Sequence, residues 1–78
     1  AKTEGTGEYV DDTVITTKVK AEIFNDATLK SREINVETFK GVVQLSGFVA
    51  ASSDIGKAGT LARNVRGVKA VKNDILVK

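Results

Sequence analysis

Glu33-Ile34-Asn35-Val36-Glu37-Thr38-Phe39-Lys40-Gly41-Val42-Val43-Gln44-Leu45-Ser46-Gly47-Phe48-Val49 is the stretch that decides the fold. From Glu33 to Thr38, polar residues alternate with apolar or β-branched ones. That period of two predicts a half-buried strand with Ile34, Val36 and Thr38 inward. Lys40-Gly41 then makes a tight turn, because glycine tolerates the positive φ such turns need. Val42 to Val49 is a second strand with Val43, Leu45, Gly47 and Val49 on one face. Gly47 is expected to leave room there for a helix to approach the sheet. Two strands joined this way form an antiparallel hairpin.

Upstream of the hairpin the period changes. Ile15, Val19 and Ile23 stand at i, i+4 and i+8, one face of a helix running from Thr13 to Phe24. Asp11 or Asp12 suits its N-cap, since a short carboxylate accepts hydrogen bonds from the free N–H groups of a first turn. The helix ends near Asn25-Asp26, and Leu29 in the loop beyond is expected to tuck under the core. Downstream, Ala50 to Asp54 is a short connection ending in cap residues. Ile55, Ala58, Ala62 and Val65 then mark a second helix to about Arg66, with Gly67 as its C′ residue. Val68 to Val77 reads as a third strand with Val71, Ile75 and Val77 on one face.

The order is α-β-β-α-β. A strand–helix–strand crossover makes its two strands parallel. The expected fold is therefore α+β, a three-stranded mixed sheet with both helices packed on one face. Asn35, Glu37, Val42, Gln44, Ser46, Phe48, Lys72, Asp74 and Leu76 would occupy the other face. Residues 1–11 read as a flexible N-terminal arm and residues 12–78 as the domain. Tyr9 and Val10 are placed where the two meet.

Seventy-eight residues fit one domain. A chain this short hides only about 60–65% of its unfolded surface, so a stability of about 3–5 kcal/mol is expected. There is no Cys for a disulfide, and neither His nor Cys for a zinc site. No cofactor and no metal are expected, and aliphatic packing must carry the fold. The sequence holds no stretch of about 20 apolar residues. Residues 1–8 contain no apolar run of the signal-peptide kind, and fit either a processed start or the edge of a longer chain.

The net charge of +2 is unevenly spread. Residues 1–12 set Lys2 against Glu4, Glu8, Asp11 and Asp12, a balance of −3. Residues 52–78 set Lys57, Arg63, Arg66, Lys69, Lys72 and Lys78 against Asp54 and Asp74, a balance of +4. Such a half attracts anionic lipid or nucleic acid weakly, though an ordinary solvated surface rich in lysine looks the same.

Nothing in the sequence suggests catalysis. The commonest nucleophile and base pairs need His or Cys, the hydroxyls have no base at recognisable spacing, and no phosphate-binding glycine loop is present. One motif competes for attention: Gly56-Lys57-Ala58-Gly59 matches the GxxG loop by which KH domains clamp single-stranded nucleic acid. That loop lies between two helices, and no helix fits between Val49 and Gly56. Small residues where the second helix crosses the sheet explain the pattern more simply, and no nucleic-acid partner is expected. Val42, Phe48 and Leu76 form an apolar strip on the outer sheet face, either scattered exposure or a docking surface.

Three phrases carry a resemblance. Asp12 to Ala21 resembles the first helix of BON domains, and Gly41-Val42-Val43-Gln44-Leu45-Ser46-Gly47-Phe48-Val49 their hairpin. Ala62 to Val77, with Gly67-Val68 closing a helix and Asn73 before alternating aliphatics, resembles their last stretch. Together they span residues 12 to 77. The resemblance implies a binding module of the bacterial envelope, of the kind found in osmotically induced periplasmic proteins, secretins, haemolysins and some channels. It implies a periplasmic location, a role in envelope integrity under osmotic stress, and contact with anionic phospholipid membranes or with envelope proteins. Family members often carry two such domains, and this sequence holds one. Lipid contact in the family involves the first helix and its surroundings. The residues offered for such contact are Lys18, Lys20, Lys57, Arg63 and Arg66, whose charge suits anionic headgroups, and Phe24, the helix's only aromatic. Three readings stay open: lipid binding, protein contact through Val42, Phe48 and Leu76, and nucleic-acid binding through Gly56 to Gly59.

Overall fold

The aliphatic stripes close on one another. Ile15, Val19 and Ile23 from the first helix, Val36, Val43, Leu45, Val49 and Ile75 from the strands, and Ala58 and Ala62 from the second helix form a single buried cluster. Leu29 joins it from the loop and is fully covered. Burial of each large aliphatic side chain here contributes about 1.5–3 kcal/mol. The computed structural model describes residues 10–30 and 32–78. Its elements are α1 (Asp12–Phe24), β1 (Glu33–Phe39), β2 (Val42–Val49), α2 (Ser52–Arg63) and β3 (Ala70–Val77). The fold is α+β with the order α-β-β-α-β.

The sheet order is β1-β2-β3. β1 and β2 are antiparallel, in register from Glu33↔Phe48 to Phe39↔Val42. β2 and β3 are parallel, from Val42↔Ala70 to Val49↔Val77. Because Phe39 pairs with Val42, the turn between them has two residues. Lys40 (φ 52°) and Gly41 (φ 82°) both adopt positive φ, the signature of a type I′ turn whose twist matches the hairpin. Both helices pack on the inner face of the sheet. Asn35, Glu37, Val42, Gln44, Phe48, Lys72, Asp74 and Leu76 are exposed on the other.

Asp11 is the N-cap of α1, its carboxylate accepting from the Thr13 N–H at 2.7 Å. Val10 packs against the core cluster and Gly67. The reading of an arm, and of Tyr9 within it, falls on residues 1–9, outside the described residues. Asp12, the other cap candidate, instead accepts from the backbone N–H groups of Lys40 (2.6 Å) and Gly41 (2.9 Å). One carboxylate thus pins the hairpin turn to the start of α1.

Four details differ from the sequence expectation. α2 runs Ser52–Arg63 and stops at the Asn64 C-cap, three residues short of Arg66. Val65 is buried in the following turn, and Gly67 (φ 95°) serves that turn rather than the helix end. β3 begins at Ala70, after the Lys69 N–H bonds to the Gly41 carbonyl at 2.8 Å. Gly47 is needed for a different neighbour than a helix. Its φ is 125°, and a Cβ there would lie 1.8 Å from the carbonyl oxygen of Glu33 on the adjacent strand. Gly59, by contrast, does serve helix–sheet approach. A Cβ would meet the Asn73 amide at 2.8 Å, and that amide donates to the Ile55 carbonyl at 2.7 Å, fastening α2 to β3.

Candidate functional site

A groove opens between the second half of α1 and the first half of β1. On α1, Thr17, Lys20, Ala21 and Phe24 recur at helical spacing and form a stripe beside the buried one. β1 turns Ile34 and Val36 toward them. The connection between the two elements brings Leu29 to the floor and Lys30 and Arg32 to the rim. The groove measures about 410 Å³. Ile23, Leu29, Ile34 and Val36 make it apolar inside. Lys20, Lys30 and Arg32 are the charged residues that line it, and all three are cations. Phe24 stands at its lip, 69% exposed.

Asp26 shapes the loop that places those cations. Its Oδ1 accepts from the Thr28 hydroxyl (2.7 Å), the Thr28 N–H (2.9 Å) and the Leu29 N–H (3.2 Å). This Asx-type turn folds the chain so that Leu29 enters the core. Lys57 reaches across from α2, donating to Asp26 and to the Thr28 hydroxyl at 3.3 and 2.9 Å. The Thr28 hydroxyl holds the Asp26 carboxyl below its ordinary range. The Thr28 N–H and the Lys57 ammonium act in the same direction.

The residues expected from the sequence separate into distinct places. Lys20 and Phe24 belong to the groove. Lys18 and Arg66 line another concavity of about 400 Å³ between the helices, together with Glu22, Leu61 and Val65. Lys57 is engaged with Asp26, and Arg63 is exposed in the last turn of α2. Gly56 and Gly59 lie inside α2, where no loop between helices exists. The outer apolar strip is divided. Phe48 and Leu76 are register neighbours at one end, with the Lys78 ammonium 5.6 Å from the Phe48 ring centre. Val42 lies six residues away along β2, about 20 Å at strand rise, and the Gln44–Asp74 hydrogen bond (3.2 Å) lies between.

Lys30, Arg32, Ile34 and Val36 are the groove residues that sequence reading did not single out. Ile34 and Val36 read as inward strand residues, and Lys30 and Arg32 carried no reading of their own. The available signal was local: two cations within three residues, between a buried leucine and the start of a strand. Among the described residues, no three Asp or Glu side chains converge as a metal site requires, and no helix is long and apolar enough to cross a membrane.

Fold and groove together define a small α-β-β-α-β module with a basic-rimmed apolar cleft on its helical side. The family model of the BON domain matches residues 11–78, and the chain belongs to that family. Over 70 residues it is 44% identical to the osmotically-inducible protein Y of Escherichia coli (strain K12), covering 90% of this chain and 35% of that protein. The chain therefore spans about a third of the length of this curated relative. Among solved structures it is similar to CdsD, a structural protein of the type III secretion system of Chlamydia trachomatis. The TM-score is 0.75 at 12% identity, over 91% of this chain and 34% of that one. A second structure, of the CdsD C-terminal domain, gives 0.73 at 13% identity, over 88% of this chain and 34% of that one. At such identities the likeness is one of fold.

Proposed function

We propose that this domain is a non-catalytic binding module of the bacterial envelope, working in the periplasm under osmotic stress and touching anionic phospholipid through α1. The family and the osmotically-inducible relative support the setting. One observation carries the lipid reading: an exposed Phe24 flanked by Lys20, Lys30 and Arg32 at the mouth of an apolar groove. An aromatic ring gains by entering the headgroup boundary, and each cation near an anionic surface contributes about 1 kcal/mol. Lys18 faces the interhelical concavity with Arg66 and stands outside this cluster. Lys57, tied to Asp26, contributes less.

Co-sedimentation with phosphatidylglycerol and phosphatidylcholine vesicles tests this. Binding is expected to phosphatidylglycerol at low salt and to fade as salt rises. The triple variant Lys20→Gln, Lys30→Gln, Arg32→Gln is expected to bind about 100-fold more weakly. Absence of binding to anionic vesicles at low salt removes the lipid reading.

Protein contact through the outer sheet face keeps one observation in its favour, the adjacent exposed Phe48 and Leu76. Light scattering of the parent and a Phe48→Asp variant tests it. A parent that is monomeric at high concentration, with a variant unchanged in partner assays, ends that reading.

A further inference from the structure

The groove has a second property that a lipid chain would not use. It runs beside the free edge of β1, which among the described residues pairs only with β2. Phe39 and Val42 flank a two-residue turn and so form a hydrogen-bonded pair. By alternation Glu33, Asn35 and Glu37 also aim their backbone groups at β2. Ile34, Val36 and Thr38 aim theirs outward. Two observations agree. The Glu33 carbonyl lies against Gly47 of β2, and the Ile34 N–H, turned from β2, bonds locally to the Arg32 carbonyl at 3.1 Å. The outward groups of Val36 and Thr38 therefore border the groove whose floor is Ile34 and Val36.

We propose that this edge and groove receive the C-terminal end of a partner polypeptide as a fourth strand, antiparallel to β1. Main-chain hydrogen bonds to Val36 and Thr38 supply affinity, and alternate side chains entering the groove supply selectivity. The direction follows from charge. Lys30 and Arg32 precede β1, and among the described residues no carboxylate lines the groove, so a terminal carboxylate is matched at that end. A partner with its carboxylate there runs opposite to β1. Thr16, hydrogen-bonded to Thr38 at 2.7 Å, closes the other end, so inward apolar side chains are taken near Ile34 and Val36. An acyl chain covers the same floor but leaves the edge N–H and C=O groups without partners, which is why the edge favours a polypeptide. The inference goes beyond the lipid reading and does not depend on it.

The probe is a six-residue peptide of alternating threonine and valine ending in a free valine carboxylate, titrated into the isotope-labelled chain and followed by NMR. Saturable shifts are expected in β1 and the second half of α1. C-terminal amidation is expected to weaken binding about 10-fold, and so is N-methylation of the peptide nitrogens that face β1. The double variant Lys30→Gln, Arg32→Gln is expected to erase the difference between carboxylate and amide while the hairpin spectrum stays native. No shifts at millimolar peptide, or binding indifferent to N-methylation, would overturn the proposal. So would shifts of β1 produced by phosphatidylglycerol vesicles and not by peptide. Loss of vesicle binding alone leaves these peptide readouts intact and ends only the lipid reading.

Discussion

The two ends of the α1–β1 layer are built differently. At the hairpin end, Asp12 accepts two N–H groups of the turn, and the Thr16 hydroxyl donates to Thr38. Helix and strand are pinned together there. At the other end stands a second carboxylate, Asp26, one residue past the Asn25 C-cap of α1. Its hydrogen bonds go to its own loop and to Lys57 of α2. None of these reaches β1, and there the helix and strand leave the 410 Å³ groove. A site arises in this layer where the polar pins stop and cations replace them.

The open end is most sensitive at Gly47, opposite Ile34 in the register. Gly47→Ala puts a methyl group into the Glu33 carbonyl and an L-residue at φ 125°. A cost of about 3 kcal/mol or more is expected. Since a domain of this size holds only about 3–5 kcal/mol, far-UV circular dichroism should show the urea midpoint falling to less than about half the parental value. A variant with parental urea midpoint would show that the two strands at the open end are free to separate.

Asp12→Ala attacks the closed end. Two charge-assisted hydrogen bonds to turn N–H groups disappear, and a loss of about 2 kcal/mol is expected in urea denaturation. Amide exchange should accelerate first at Lys40 and Gly41, while Leu29 and Ile34, whose N–H groups bond within their own loop and local turn, keep parental rates. Equal acceleration at both ends would erase the distinction drawn between them.

These two positions also mark where sequence reading succeeds and where it stops. Period-two alternation and i, i+4 spacing are one-dimensional signals of burial, so the hairpin, α1 and the core residues Ile15, Val19, Val43 and Leu45 were legible. Asp12 read only as a cap, because its partners lie 28 and 29 residues away and a carboxylate's partner is not a local property. Gly47 read as glycine under a helix, when a neighbouring backbone carbonyl demands it. The basic residues read as a single set on composition. The fold distributes them among a groove, an interhelical concavity and an ion pair. Lys20 and Phe24 could be named together because they share a helix, and both line the groove. Lys30, Arg32, Ile34 and Val36 join them only through tertiary contact.

The smallest expected effect concerns Asp26, and it is read through pH. Its carboxyl is held below the ordinary range by the Thr28 hydroxyl, the Thr28 N–H and Lys57. The folded chain therefore gives up this proton more readily than the unfolded chain. The resulting stabilisation is full at neutral pH and is lost as pH falls from about 4 downward. Asp26→Asn keeps an oxygen for Thr28 and Leu29 but removes the charge. Urea midpoints of parent and variant should differ slightly at pH 7 and draw together as pH falls below about 4. A gap that persists unchanged in acid would mean that turn geometry, and not charge, is what Asp26 supplies. The loop carrying Lys30 and Arg32 would then be held in place without the Lys57 ion pair, and the open end would stay open at every pH.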